Sequence, residues 1–323
     1  MRKFLLAFLV SVLTFGATFA QGDGAAEETR MTLRAEMLRM INRDRHRAGL
    51  RAVELDPDAS AVADTYCASQ IRNRTSGHFT LDGHAPYMRY SFAGGNDGLS
   101  ENAAAWSANF NFSDRALLDM MRRSQEAMMG EAAPHDGHRK TILDPAATHV
   151  GIGVAWEGGE FRIAQEFVRR YVDWVRPLPR RASTSDRLLC SGRPKAGYEI
   201  EAITVHRESY PQPMTVKTAN AIGSYGLPSD RREYLPRLKT YYRQAGNGAM
   251  EEVREEYSDG RRGDFQVSTD GTFAFAVPFP DGPGIYTVVV WVRQRGARDT
   301  IAASNVSIRV DAAAPALTAA SSK

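Results

Sequence analysis

A period-two pattern near the middle of the chain is the strongest constraint on its fold. From Val150 to Trp156 every second residue is large and apolar, and the alternation returns from Phe161 to Phe167 with Gln165 as its one polar member. A Glu-Gly-Gly-Glu turn at residues 157–160 joins the two runs. Alternation of this kind around a glycine-containing turn indicates an antiparallel hairpin with one apolar face. That face must be covered, so the preceding segments are expected to pack against it.

Three segments upstream have the apolar spacing of amphipathic helices. The pattern predicts helices over residues 32–48, over 56–74, where Asp56-Pro57 is a typical start, and from Ser113 onward. Helices followed by a short antiparallel sheet are typical of a layered α+β domain.

The second half of the chain is dominated by strand patterns. A helical stretch is predicted at 250–257, inside a polar insertion. The run from Asp281 to Tyr286 is typical of the tyrosine corner of an immunoglobulin-like β-sandwich. The predicted strands cover residues 198–206, 214–219, 265–268, 272–279, 285–293 and 301–310.

The N-terminus has the features of an export signal. Two basic residues, an apolar run over 4–15 and small residues up to Ala20 predict a signal peptide over 1–20 and a protein secreted to the periplasm or the exterior. Without these two basic residues the formal net charge of +3 falls to about +1, which argues against a nucleic-acid partner. No second long apolar run is present, so no membrane span is expected.

Composition divides the chain into six parts. After the signal peptide we expect a disordered leader (21–30), the α+β domain (31–176), a basic Pro/Ser linker (177–195), the β-sandwich domain (196–311) and a disordered tail (312–323). The arginines of the linker, among them Arg180, Arg181 and Arg187, fit either a solvated linker or contact with an anionic envelope polymer.

The two cysteines, Cys67 and Cys190, leave two interpretations open. Export permits a Cys67–Cys190 disulfide. Cys67 also lies at helical spacing with Ala63 and Ile71, which favours a buried small apolar side chain.

Several ordered motifs in the first half resemble a known family. They are His78, the Ser-Glu-Asn-Ala-Ala segment at 100–104, the Gly-His-Arg step at 137–139, the Val-Gly-Ile-Gly strand at 150–153, and Gln165. Their order is similar to that of the CAP superfamily (cysteine-rich secretory, venom allergen and pathogenesis-related proteins), and most of all to its bacterial SCP-like branch. The resemblance implies a three-layer α-β-α sandwich for residues 31–176.

The resemblance also implies a cleft that holds two histidines and two glutamates. His78, Glu101 and His138 match three of these positions. The second glutamate belongs near the end of the third helix, where Glu126 is the first candidate and Glu131 the fallback. The chain departs from the family at Ser100, where glycine is usual, and in a longer segment before His138.

The chemistry of this set permits more than one function. Two neutral imidazoles, His78 and His138, together with one carboxylate suit a Zn²⁺-like ion with an open position, while the other carboxylate hydrogen-bonds a ring N–H and fixes its tautomer. The alternative is that the acids cap backbone turns and the histidines pack as cleft walls. No nucleophile motif accompanies the set, which favours a non-catalytic binding module for a small ligand or divalent metal, with the β-sandwich docking to an envelope or extracellular partner. A peptidase-like hydrolase, metal-assisted or using general acid/base chemistry, and a purely structural module pair are the alternatives.

Overall fold

The computed structural model describes residues 20–313. The predicted signal peptide, apart from Ala20, and the predicted tail from residue 314 lie outside the described residues. The helices are α1 (Ala20–Arg47), α2 (Pro57–Asn73), α3 (Pro86–Phe92), α4 (Asp114–Met129), α5 (Gly137–Ile142) and α6 (Val216–Ala221). The strands of the first half are β1 (Glu54–Leu55), β2 (Gly98–Ser107), β3 (His149–Glu157) and β4 (Glu160–Arg169). The remaining strands are β5 (Val172–Arg176), β6 (Arg181–Ser183), β7 (Leu188–Pro194), β8 (Tyr198–Glu208), β9 (Arg231–Tyr234), β10 (Thr240–Gln244), β11 (Met250–Arg254), β12 (Gln266–Val267), β13 (Phe273–Val277), β14 (Gly284–Gln294), β15 (Thr300–Ala302) and β16 (Val306–Asp311).

The first half is a three-layer α-β-α sandwich, as predicted. Its sheet has the order β1-β3-β4-β2, and β3 and β4 form the predicted hairpin. Helices α1 and α4 pack on one face over the large apolar residues of β3, and α2 packs on the other. Glycine is required on the α2 face, since a Cβ at Gly153 would lie 2.3 Å from the carbonyl carbon of Ala63.

Residues 21–30 belong to α1, so the prediction of a disordered leader is wrong. The stretch contains good helix formers, Ala25 to Glu28, which extend the helix ahead of its packed part. Arg34 further anchors this end of α1 through an ion pair with Asp64 of α2.

The second half consists of two sheets that enclose one core. Their orders are β12-β13-β7-β5 and β6-β16-β14-β8-β9, with β15 also paired to β14. Apolar residues from both sheets, such as Phe273 of β13 and Val290 of β14, belong to the same buried cluster. At the start of β14 the Tyr286 hydroxyl donates to the carbonyl of Gly282 at 2.8 Å.

Four segments of the second half differ from their predictions. Residues 177–195 contain β6 and β7 instead of a linker, because alternate residues of β7, including Cys190, point into the core. Residues 250–257 contribute the exposed strand β11, which is paired with β10, and residues 214–219 overlap the short helix α6. The single strand predicted at 301–310 is two strands, β15 and β16.

The two cysteines are free, so the predicted Cys67–Cys190 disulfide is wrong. Cys67 lies between α2 and the first sheet, where it packs with Ala63 and Tyr66. Cys190 is buried in the separate core of the second half. Each thiol therefore serves as a small apolar side chain in its own core.

Buried polar contacts join the two halves. The Asn305 side chain accepts from the Leu99 amide at 3.2 Å and donates to the Leu99 carbonyl at 3.0 Å. Ser91 of α3 bonds to the Asn305 carbonyl and to the Ser307 amide. Edge strand β2 is thereby fixed against the second half. Within residues 20–313, no helix has both the length and the apolar character needed to cross a membrane.

Candidate functional site

A cavity of about 620 Å³ lies where edge strand β2 meets the second half of the chain. The first half provides the predicted His78, Glu101 and His138, together with Glu131. The second half provides the loop 223–227, Ala302 and Asn305. The cavity is therefore a composite of both halves.

His78 and Glu101 form a buried pair at the base of the cavity. The His78 Nδ1 lies 2.9 Å from Glu101 Oε1, and the Glu101 side chain is fully buried. Arg89 of α3 donates to the other carboxylate oxygen and to the His78 carbonyl. The same guanidinium lies 3.5 Å from the ring centre of Tyr66, so it is held on both sides. Glu101 thus fixes the orientation of the imidazole, and Arg89 neutralises the carboxylate.

Glu166, which the sequence reasoning did not single out, lies directly opposite Glu101. The two residues face each other in the β2–β4 register, and Arg89 is 3.9 Å from Glu166. Burial and then the charge of Glu101 raise the pKa of Glu166 well above its usual range. Burial also opposes ionisation of Glu101, but Arg89 and His78 outweigh it and lower the Glu101 pKa. One proton is therefore held on Glu166. In the sequence, Glu166 is an acidic residue that alternates with the apolar Ala164 and Val168, on the face of the hairpin that packs against α2.

His138 is paired with Glu131, the fallback candidate. Both its backbone amide and its Nδ1 contact the Glu131 carboxylate, at 2.9 and 2.5 Å. The structure does not bring Glu126 into the cavity. Glu126 is exposed on α4, whose inward positions near this end are Gln125 and Met128. The chain leaves the helix at Gly130, and this turn carries Glu131 back toward His138.

The unusual Ser100 has a structural partner. Its hydroxyl accepts from Arg169 Nη1 at 2.9 Å, and the same nitrogen contacts Asp144 at 3.0 Å. Arg169 Nε donates to the carbonyl of Ala302 in the second half. Where the family has glycine, this chain therefore uses a serine that supports the junction of the two halves. His135 lies on the cavity wall near His138.

The histidines do not make a closed zinc site. The two ring centres are 6.5 Å apart, whereas one tetrahedral ion with bonds of about 2.0–2.1 Å to both rings would hold them near 5 Å. Within residues 20–313, no group of three or more His, Cys, Asp or Glu side chains is placed to hold a metal ion. Carboxylates contact both Nδ1 atoms, which is a common support for metal-binding imidazoles.

Comparison with known proteins gives a family model that matches part of the chain, together with structural likenesses. The family model for CAP, the cysteine-rich secretory protein family, matches residues 38–167. Among solved structures, an extracellular protein containing an SCP domain from Bacillus anthracis str. Ames is similar, with 18% identity over 42% of this chain and a TM-score of 0.33. The match spans 41% of that protein's own length. No curated protein matches the chain.

Proposed function

We propose that the protein is a secreted, non-catalytic binding protein, a role supported by the match of residues 38–167 to the CAP family model. Its ligand is a small polar molecule that enters the cavity between the two halves. Export is supported by the signal-like N-terminus.

The observation that carries the proposal is the pair of carboxylate-supported imidazoles on one cavity. In a neutral imidazole whose Nδ1–H donates to a carboxylate, Nε2 is an acceptor. His78 and His138 therefore offer two acceptors, held by Glu101 and Glu131. The matching ligand carries hydroxyl or amine donors, and about 620 Å³ is within the usual range for small-molecule sites.

The hydrolase alternative has weaker support. Neither imidazole is hydrogen-bonded to a hydroxyl or thiol of the described residues, as an activated nucleophile requires. The Cys67 thiol is buried, and burial raises its pKa well above the usual value, which keeps it protonated. A divalent metal also has weaker support than a small polar ligand, since the described residues contain no group of three or more side chains placed to hold one.

The second half serves as a docking domain with immunoglobulin-like topology. Support comes from the pairing of β6 parallel to β16 beside β14 and β8, with β5, β7, β13 and β12 in the facing sheet. The Tyr286–Gly282 hydrogen bond matches the tyrosine corner of such domains. Its partner is expected in the envelope or outside the cell.

Ligand-detected NMR with a library of small hydroxyl- and amine-bearing fragments tests the binding role. We expect a subset to bind the wild type, to lose binding in His78→Ala and in His138→Ala, and to keep it in His149→Ala. His149 begins β3 and does not line the cavity, so this variant is the matched control. Equal binding to all four proteins, or to none, would contradict the proposal.

Two further measurements separate the alternatives. Calorimetry with Zn²⁺ is expected to give no tight binding. Tight binding that the His78→Ala/His138→Ala variant loses would instead support the metal. Turnover of peptide or ester substrates that disappears in Glu101→Gln would support the hydrolase.

A further inference from the structure

A segment of the second half crosses onto the first half beside the cavity. Residues 209–230, here called the strap, connect β8 to β9. The strap is tied to the loop after α2, since the Met214 amide donates to the Leu81 carbonyl at 2.7 Å and Asn220 accepts from the Ser76 amide at 2.8 Å. Its backbone also approaches Gly83 so closely that a Cβ there would lie 2.6 Å from the Gln212 carbonyl oxygen.

Tyr225 of the strap covers His78. The two ring centres are 4.8 Å apart, and the Tyr225 hydroxyl accepts a hydrogen bond from the Glu101 amide. Leu227, two residues on, packs with Tyr87 in a small apolar cluster that holds the strap down. Tyr225 is therefore held over His78 by the hydrogen bond of its hydroxyl and by the packing of the neighbouring Leu227.

The cover makes the two imidazoles unequal. The His78 side chain is 8% exposed, whereas that of His138 is 34% exposed. Both line the same cavity and both are held by a carboxylate. The open approach therefore lies on the His138 side.

We propose that Tyr225 is a specificity-determining residue, which shields His78 and restricts the cavity to small molecules that enter past His138. A polymer such as a folded protein or a polysaccharide chain reaches His138 but not both imidazoles. The entry of a ligand rests on the proposed binding function. The shielding of His78 by Tyr225 does not depend on that function, and it is tested without any ligand.

Histidine labelling with diethyl pyrocarbonate, read by peptide mass spectrometry, tests the shielding. The reagent is small and reacts with an accessible, unprotonated imidazole nitrogen. In the wild type we expect His78 to react at least about tenfold more slowly than His138, because a covered group reacts only in the open fraction of molecules. Tyr225→Ala is expected to raise the His78 rate by a similar factor and to leave the His138 rate unchanged. Tyr242→Ala removes an exposed tyrosine of β10 and is the matched control, with no expected change.

The design separates shielding from unfolding. His206 is buried in the second half, so faster labelling of His206 reports loss of structure. If Tyr225→Ala unfolds, Tyr225→Leu keeps an apolar side chain beside Leu227 but is too short to cover His78, and it is expected to raise the His78 rate in the same direction. Equal wild-type rates for the two histidines, or an unchanged His78 rate in a folded variant, would overturn the proposal. A cavity that binds no fragment would refute the binding function and leave the labelling result standing.

Discussion

The carboxyl of Glu166 makes the stability of the protein depend on pH in a way that one substitution reveals. Glu166 faces Glu101 on β2, Arg89 on α3 and Tyr66 on α2, with all of these groups buried. Glu166→Gln keeps the shape of the side chain, and its amide N–H groups can donate to Glu101 in place of the carboxyl proton. The substitution therefore removes a titration and not a packing contact.

The sign and size of the effect follow from proton linkage. The Glu166 pKa is raised in the folded protein, and the unfolded chain loses this proton near pH 4.5. The protonated Glu166 carboxyl contributes its full stabilisation below pH 4.5, and this contribution is lost as the pH rises through the pKa of Glu166 in the folded protein. Between these two pKa values the titration of Glu166 lowers the wild-type free energy of unfolding by about 1.4 kcal/mol per pH unit. Glu166→Gln lacks this titration, so its free energy of unfolding does not fall with pH for this reason.

Urea denaturation of both proteins at pH 5, 6 and 7 measures the difference. Between pH 5 and 6 we expect the free energy of unfolding of Glu166→Gln to rise relative to the wild type, by at most about 1.4 kcal/mol, which is the limit for one proton. Glu157→Gln, an exposed acid at the hairpin turn, is the control and should run parallel to the wild type. Parallel curves for Glu166→Gln would refute the assignment of the shared proton to this site.

Two further predictions concern packing and the cysteines. Gly153→Ala forces a methyl group against Ala63 and is expected to lower the free energy of unfolding, measured by urea denaturation, by about 3 kcal/mol. Gly137→Ala is the control and should change the free energy of unfolding little, because nothing lies within 4 Å of the added Cβ. Equal effects of the two substitutions would contradict the close approach of α2. A thiol reagent is expected to label no cysteine in the native protein and two cysteines in guanidinium without reductant, because Cys67 and Cys190 are buried and free. If denaturation exposes no reactive thiol, the two cysteines are joined in a disulfide.

The first half was predictable because its signals are local and repeated. The hairpin alternation and the apolar stripes of the helices predict the layers. The resemblance to the CAP superfamily implies a shared cleft for His78, Glu101 and His138, and all three line one cavity. The resemblance places the second glutamate near the end of the third helix, and this favours Glu126 over Glu131. Which of the two reaches His138 depends on where α4 ends and how the chain turns at Gly130, and neither is a periodic signal.

The second half was less predictable because its features depend on distant partners. Met250 to Arg254 have helix-forming composition, but pairing with β10 makes them a strand. The linker residues contain prolines and arginines, yet β7 is held between β13 and β5, and Cys190 completes the core. Tyr225 gave no sequence signal, since its role arises from contact with His78, far earlier in the chain.

The composite cavity also has a consequence for biosynthesis. The floor is encoded by residues 78–138, while Tyr225 and Asn305 follow much later. A chain is made from its N-terminus, and early domains generally fold first. On the nascent chain His78 is therefore expected to lack its Tyr225 cover, and the cavity gains its full walls only once β15 and β16 have emerged and docked against β2. Ligand capture is thus coupled to completion of the polypeptide, so a truncated product would carry the histidines without the enclosed site.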